Sequence, residues 1–135
     1  MLKSLSFATL AYLVPTFAIA YVWHLYLFAH RYEALAIYRD ELIVPFGFVA
    51  ILIQGIIFAL FFGKVFGSGP IGKQGIAYGL TAGLLSWTFT TLAVAAKFPM
   101  TSIADFVVME TGFTVLQFAV VGPLTACAWR LGLPT

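Results

Sequence analysis

The sequence predicts an all-α fold, a bundle of four membrane-spanning helices, and three observations predict it. Hydrophobic residues make up 62% of the 135 and charged residues 9%, far below the roughly 25% charge of a water-facing domain. Mean hydropathy is +1.03. The charges are also spaced so that four long segments hold none. Twenty-seven uncharged residues separate Lys3 from Arg31, twenty-two separate Glu41 from Lys64, twenty-three separate Lys73 from Lys97, and nineteen separate Glu110 from Arg130. About 20 apolar residues cross about 30 Å of hydrocarbon as a helix. Lipid offers backbone groups no partner, so each segment must satisfy its own.

These gaps predict a single transmembrane domain over residues 1–135, with helices at about 5–29, 43–63, 75–96 and 103–129. The first segment resembles a signal peptide, with Lys3, an apolar run and Ala18-Ile19-Ala20 as a cleavage-like site. The apolar run continues through Phe28, so the expectation is a retained first helix. Residues 30–42 (HRYEALAIYRDEL) allow two readings. One is a short interfacial helix with Leu35, Ile37, Tyr38 and Leu42 dipping into lipid; the other is a hydrated loop. Pro45 fits the first turn of the second helix, where a missing N–H costs little. Residues 63–75 (GKVFGSGPIGKQG) read as a flexible turn and lack the spacing of a phosphate-binding loop. Residues 97–102 form a tight turn, and Ser102 with Asp105 reads as a capping box opening the fourth helix.

Lys3, Lys64, Lys73 and Arg130 fall on one side of the membrane; Arg31, Arg39 and Lys97 fall on the other. Four against three places both termini in the cytoplasm, and the inner membrane if the source is bacterial. Tyr26, Tyr32 and Tyr38 then lie at the outer interface as anchors. Trp23, Tyr26 and His30 share a heptad face read the same way.

Packing signals follow. Gly75, Gly79 and Gly83 make a small-residue strip on the third helix that admits another backbone closely, in this chain or another. Gly112, Ala119 and Ala126 repeat the idea on the fourth. Pro15 and Pro123 lie inside helices, and each is expected to kink its own. Trp87 is expected to pack in the core with its N–H on Gln54 or Gln117. Cys127, the only cysteine, reads as an inert packing residue.

Glu110 carries the most chemistry. It lies eight residues past Ser102, about 12 Å along a helix. An ionisable group there costs about 2.5–3.5 kcal/mol on insertion scales, so it must face protein or water. Thr114 and Gln117 extend a polar stripe on the same face, and Gln54 is placed to complete it. Glu110 is then either a proton- or cation-binding carboxylate or a structural bond between helices. His24 is expected at a similar depth, and a His24–Glu110 contact is the specific expectation. Ala20, four residues before His24, leaves room for a flat macrocycle over an axial histidine, so His24 is also the candidate cofactor ligand. His24 and His30 diverge by about 120° on a helix and make a poor metal pair. No metal site and no required cofactor emerge. No serine elbow, H-E-x-x-H or Cys-His-Asp set points to hydrolysis, and no basic cluster points to nucleic acid.

The segments Tyr21-Val22-Trp23-His24-Leu25, Tyr38-Arg39-Asp40-Glu41 and Leu52-Ile53-Gln54-Gly55 resemble small uncharacterised bacterial four-helix integral membrane proteins. The resemblance implies that fold and no activity. Four-helix small multidrug transporters are similar in size, but they carry their membrane glutamate in the first helix, whereas Glu110 is in the fourth. That departure leaves an analogy only.

Three functions compete. The first expectation is a non-enzymatic accessory or structural subunit of a larger or homo-oligomeric membrane assembly, partnered by lipid and by other subunits or copies of itself. The alternative is a small proton- or cation-coupled transporter centred on Glu110. The third is a haem- or pigment-binding protein using His24.

Overall fold

The computed structural model describes residues 1–133. Five helices account for nearly all of them: α1 (Leu2–Leu27), α2 (Ala29–Ala34), α3 (Val44–Phe66), α4 (Ile71–Lys97) and α5 (Ile103–Leu131). Four of them are long and apolar enough to cross a membrane, and together they form an all-α four-helix bundle, the architecture of a multi-pass membrane protein. The spanning helices match the charge-free segments with one sizeable shift. α4 begins at Ile71 rather than near 75, because Pro70 stands extended just before it and Ile71–Gly75 wind into the first turn. The expected thirteen-residue turn therefore shrinks to the few residues around Gly67–Pro70.

α5 is the most buried of the four and packs against both α4 and α1; α3 packs against α1. The α4–α5 seam explains the glycine strip. A Cβ at Gly79 would stand 2.8 Å from the Phe118 carbonyl oxygen, and one at Gly122 would stand 2.6 Å from the Gly75 carbonyl oxygen. Neither distance is tolerable, so the two backbones meet only because both positions lack side chains. The strip's partner is thus in the same chain. On α5 it is Gly122 and Ala126 that answer it, while Ala119 is exposed and Gly112 faces the Trp23 ring.

The larger buried core is aromatic. Tyr12, Phe58, Phe62, Tyr78, Phe118 and Trp129 interlock there, with Phe62 and Tyr78 edge to face at 5.2 Å, the arrangement ring quadrupoles favour. Outside it, Leu80, Leu84, Val108 and Val115 are each more than 60% exposed, a belt of apolar surface that water would not solvate. Cys127 belongs to this outer surface; it is exposed and not packed inside as expected.

Both ends of the bundle are tied. Arg130 donates to the Gly69 carbonyl, so the C-terminal end of α5 holds the α3–α4 turn. At the other end Thr101 donates through N–H to the Leu35 carbonyl at 3.2 Å and through its hydroxyl to the Ala34 carbonyl at 2.8 Å. The α4–α5 turn thereby closes the free carbonyls of α2. Ser102 caps α5 by accepting from Asp105 N–H at 3.2 Å. Pro45 sits in the first turn of α3, as expected. α1 and α5 run without a break through Pro15 and Pro123.

The segment after α1 combines elements of both expectations: a short helix, α2, followed by an irregular and largely exposed connection over residues 36–43. α2 folds back onto the bundle, burying Tyr32 fully and Leu35 nearly so against Phe106 and Met109 of α5. The reversal turns on Ala36, whose φ of 57° puts a non-glycine residue in the left-handed region.

Candidate functional site

The fold-back of α2 brings three polar side chains from three helices together near the loop-bearing end. Glu110 on α5 is 7% exposed. His24 Nε2 on α1 stands 3.1 Å from Glu110 Oε1, and the Tyr32 hydroxyl on α2 donates to the same oxygen at 2.6 Å. Trp23 Nε1–H donates to the Tyr32 oxygen at 3.2 Å, so Tyr32 is oriented with its own proton toward the carboxyl. Burial first, and the nearby Glu110 charge second, push the Tyr32 phenol well above its ordinary range. It therefore stays neutral, donating to the carboxyl and accepting from Trp23.

The protonation of the histidine follows from its other nitrogen. His24 Nδ1 lies 3.0 Å from the Ala20 carbonyl oxygen. A carbonyl only accepts, so Nδ1 carries a hydrogen. At 3.1 Å, Nε2 and Oε1 make a hydrogen bond only in a form with one further proton between them. If it is on nitrogen, the pair is imidazolium and carboxylate; if it is on oxygen, both are neutral. The pair is uncharged overall in either form, which is how a carboxyl group resides in an apolar bundle at modest cost.

Local backbone shape aims these groups. α1 widens into a π-turn over Trp23–Leu27, and α4 does the same over Thr88–Leu92. Such turns cluster at functional sites because the extra residue rotates side chains off the regular face. Here the two π-turns flank a cavity of about 290 Å³ that ends on Glu110 and His24 and is walled by Tyr38, Thr90, Phe98 and Phe106. A second, more polar cavity of about 700 Å³ shares His24 and Tyr38 with it and is bordered by Glu33, Arg39 and Asp40. The two adjoin at His24 and Tyr38 and are called the vestibule below; Glu110 lines its smaller part.

No protein-family model, curated protein or solved structure matches this chain.

The proposed polar stripe divides into two clusters. Gln117 does not continue from Glu110. Its Nε2 instead donates to Tyr12 Oη at 3.3 Å and to Thr16 Oγ1 at 3.2 Å, while the Tyr12 hydroxyl donates to Gln54 Oε1 at 2.6 Å. This second cluster ties α1, α3 and α5 together further from the vestibule. Thr114 is buried but joins neither cluster through a side-chain hydrogen bond among the described residues; it faces a groove between α4 and α5. Trp87 Nε1–H finds Thr111 Oγ1 at 2.9 Å rather than either glutamine.

Other expectations are corrected at the same place. Tyr32 is no interfacial anchor but the fully buried partner of Glu110, whereas Tyr26 is 78% exposed. Trp23, read as sharing an outer face with Tyr26 and His30, turns inward because the π-turn breaks that heptad face; its ring lies 4.4 Å from Phe28. His30 is exposed and stands 4.0 Å from Glu33. Each His24 ring nitrogen has a polar neighbour, Nδ1 the Ala20 carbonyl and Nε2 Glu110. Among the described residues no three His, Cys, Asp or Glu side chains group as a metal site.

Sequence reasoning missed Tyr32, Trp23, Tyr12, Thr16 and Thr111. Tyr12 and Thr16 were findable, since they are four apart on an otherwise apolar helix and form a polar stripe. Tyr32 was not, because its position depends on the reversal at Ala36.

Proposed function

We propose that the protein is a small proton-coupled membrane carrier whose proton-binding site is the Glu110–His24 pair. The observation that carries this reading is the cavity ending on both groups at once. A carboxyl group that served only to join helices would be packed over on all sides. Here Oε1 holds the helices together through His24 and Tyr32, while Oε2 has no hydrogen-bond partner among the described residues and the carboxyl lines open space. One oxygen is structural and the other is available.

Holding one shared proton the pair is neutral; once that proton leaves for the vestibule the pair carries one negative charge, which a bound cation would neutralise before turnover. Past the pair, the Tyr12–Gln54–Gln117–Thr16 cluster and the aromatic core close the way to the opposite end. In this reading the site opens on the side of α2 and is closed on the side of the termini. The accessory-subunit expectation drew on the glycine strip of α4, and α5 of the same chain occupies that strip. Membrane orientation enters as part of the reading: the charge bias puts the vestibule on the outer face of a cell membrane.

The test uses sealed vesicles containing the protein and an internal pH dye. A panel of small cations, anions and neutral solutes is added outside. At least one solute moves protons in the wild type, and Glu110→Gln, folded by circular dichroism, abolishes the movement. A panel without response, or a variant that matches the wild type, refutes the carrier.

A further inference from the structure

The walls of the Glu110 cavity are chemically selective, and this deepens the carrier reading, on which it rests. Three aromatic rings, Tyr38, Phe98 and Phe106, line the space above the carboxyl. Tyr38 stacks on Tyr32, with ring centroids 5.2 Å apart and planes 3° from parallel, and also lines the cavity. The remaining walls, Ile37 and Val94, are aliphatic, and the only hydroxyls in the lining are those of Thr90 and Tyr38. A carboxyl beneath rings and aliphatic groups lacks the oxygen cage a hard metal cation demands. It suits a cation whose charge is spread over carbon-bound hydrogens and which aromatic faces attract.

We propose that the cavity binds a small organic ammonium ion against Glu110 and releases one proton for each ion bound. The count follows from the shared proton. With one proton between His24 Nε2 and Glu110 Oε1 the pair is neutral; an ammonium ion beside the carboxyl favours the ionised form with neutral His24, and the proton leaves to water through the vestibule. No bond to carbon forms or breaks. The charge of the occupied site equals that of the empty one, since one cation replaces one proton.

The titratable groups facing Glu110 are His24 from α1, Tyr32 from α2 and Tyr38 from the following loop. α4 presents Thr90 and apolar groups, and α3 presents no ionisable group to the cavity. Glu33, Arg39 and Asp40 border only the outer vestibule. Tyr32 and Tyr38 remain neutral, so the exchangeable proton belongs to the His24–Glu110 pair.

The experiment is calorimetric titration of the intact protein in detergent with choline and with its neutral isostere 3,3-dimethylbutan-1-ol. It is run in two buffers of different protonation enthalpy. Choline binds, the isostere does not, and the buffer dependence gives one proton released per choline. Binding tightens about tenfold per pH unit while the pair still holds its proton. Tyr38→Ala and Phe98→Ala, at the partly exposed rim, weaken binding by roughly three- to thirtyfold with unchanged melting curves. Glu110→Gln abolishes binding. Equal affinity for the isostere, binding without proton release, or no choline binding overturns the proposal. If choline does not bind but another class of solute still drives Glu110-dependent proton movement in vesicles, the carrier reading survives and only the ammonium assignment falls.

Discussion

The Tyr32 hydroxyl donates to Glu110 Oε1 across seventy-eight residues of chain, at 2.6 Å. This bond fastens the α2 fold-back to the N-terminal third of α5, and it gives the carboxyl oxygen that also meets His24 a fixed position. Structure and chemistry at this site therefore share one side chain, and the first prediction addresses it.

Tyr32→Phe keeps the ring and its packing on Leu35 and Phe106 but removes the donor. Trp23 Nε1–H also loses its acceptor. A buried polar group left unpaired costs about 1–3 kcal/mol. Thermal unfolding in detergent is expected to show a loss of that size. A melting point equal to wild type would mean the bond contributes nothing.

Ala36 holds a left-handed conformation, with φ of 57°, at the end of α2, the position where glycine is favoured. Ala36→Gly is expected to stabilise the protein by about 1 kcal/mol, and Ala36→Val to destabilise it by a similar amount. Proteolysis of the segment 34–43 provides a local readout. Faster cleavage of the glycine variant would contradict the assignment of strain.

The α4–α5 seam distinguishes glycines by their surroundings. Gly122→Val overpacks the approach to Gly75 and Gly79 and is expected to cost about 1–3 kcal/mol. Gly47, in the first turns of α3, has nothing within 4 Å of a built Cβ; Gly47→Ala is expected to be neutral or to gain up to about 1 kcal/mol. Equal effects of the two substitutions would show that the seam is looser than described.

Alkaline pH probes the tyrosines outside the spans. Burial, and then the Glu110 charge, raise both Tyr32 and Tyr38 above the ordinary phenol value of 10.0. The native state holds these protons more tightly than the unfolded chain. Their contribution is complete below pH 10 and is lost as pH rises beyond it. Melting temperature against pH is expected to fall above 10, less steeply in Tyr32→Phe. A rise above pH 10 would reverse the sign and refute the argument.

The sequence carried the bundle because charge spacing is a one-dimensional signal. Lys3, Arg31, Glu41, Lys64, Lys73, Lys97, Glu110 and Arg130 bracket the hydrocarbon directly. The same reasoning brought out Glu110 and His24, since polar groups in apolar runs must find each other or water. It failed where the backbone leaves regular geometry. The π-turn at Trp23–Leu27 swings Trp23 inward and breaks a face read at helical spacing. The reversal at Ala36 has no glycine to announce it. Gln117 shared a stripe with Glu110 on paper, yet Tyr12 and Thr16 on a neighbouring helix supply nearer partners.

The account depends on water and solutes reaching Glu110 from the α2 side of a membrane-embedded bundle. Thr90, in the last third of α4 on the cavity wall, is the reporter, in a background where Cys127 is replaced by alanine. Thr90→Cys in sealed vesicles is expected to react with a membrane-impermeant thiol reagent from the α2 side only, whereas Val115→Cys, facing lipid, stays unmodified. A Thr90→Cys thiol that is inert from both sides, or that reacts only from the side of the termini, would contradict the account.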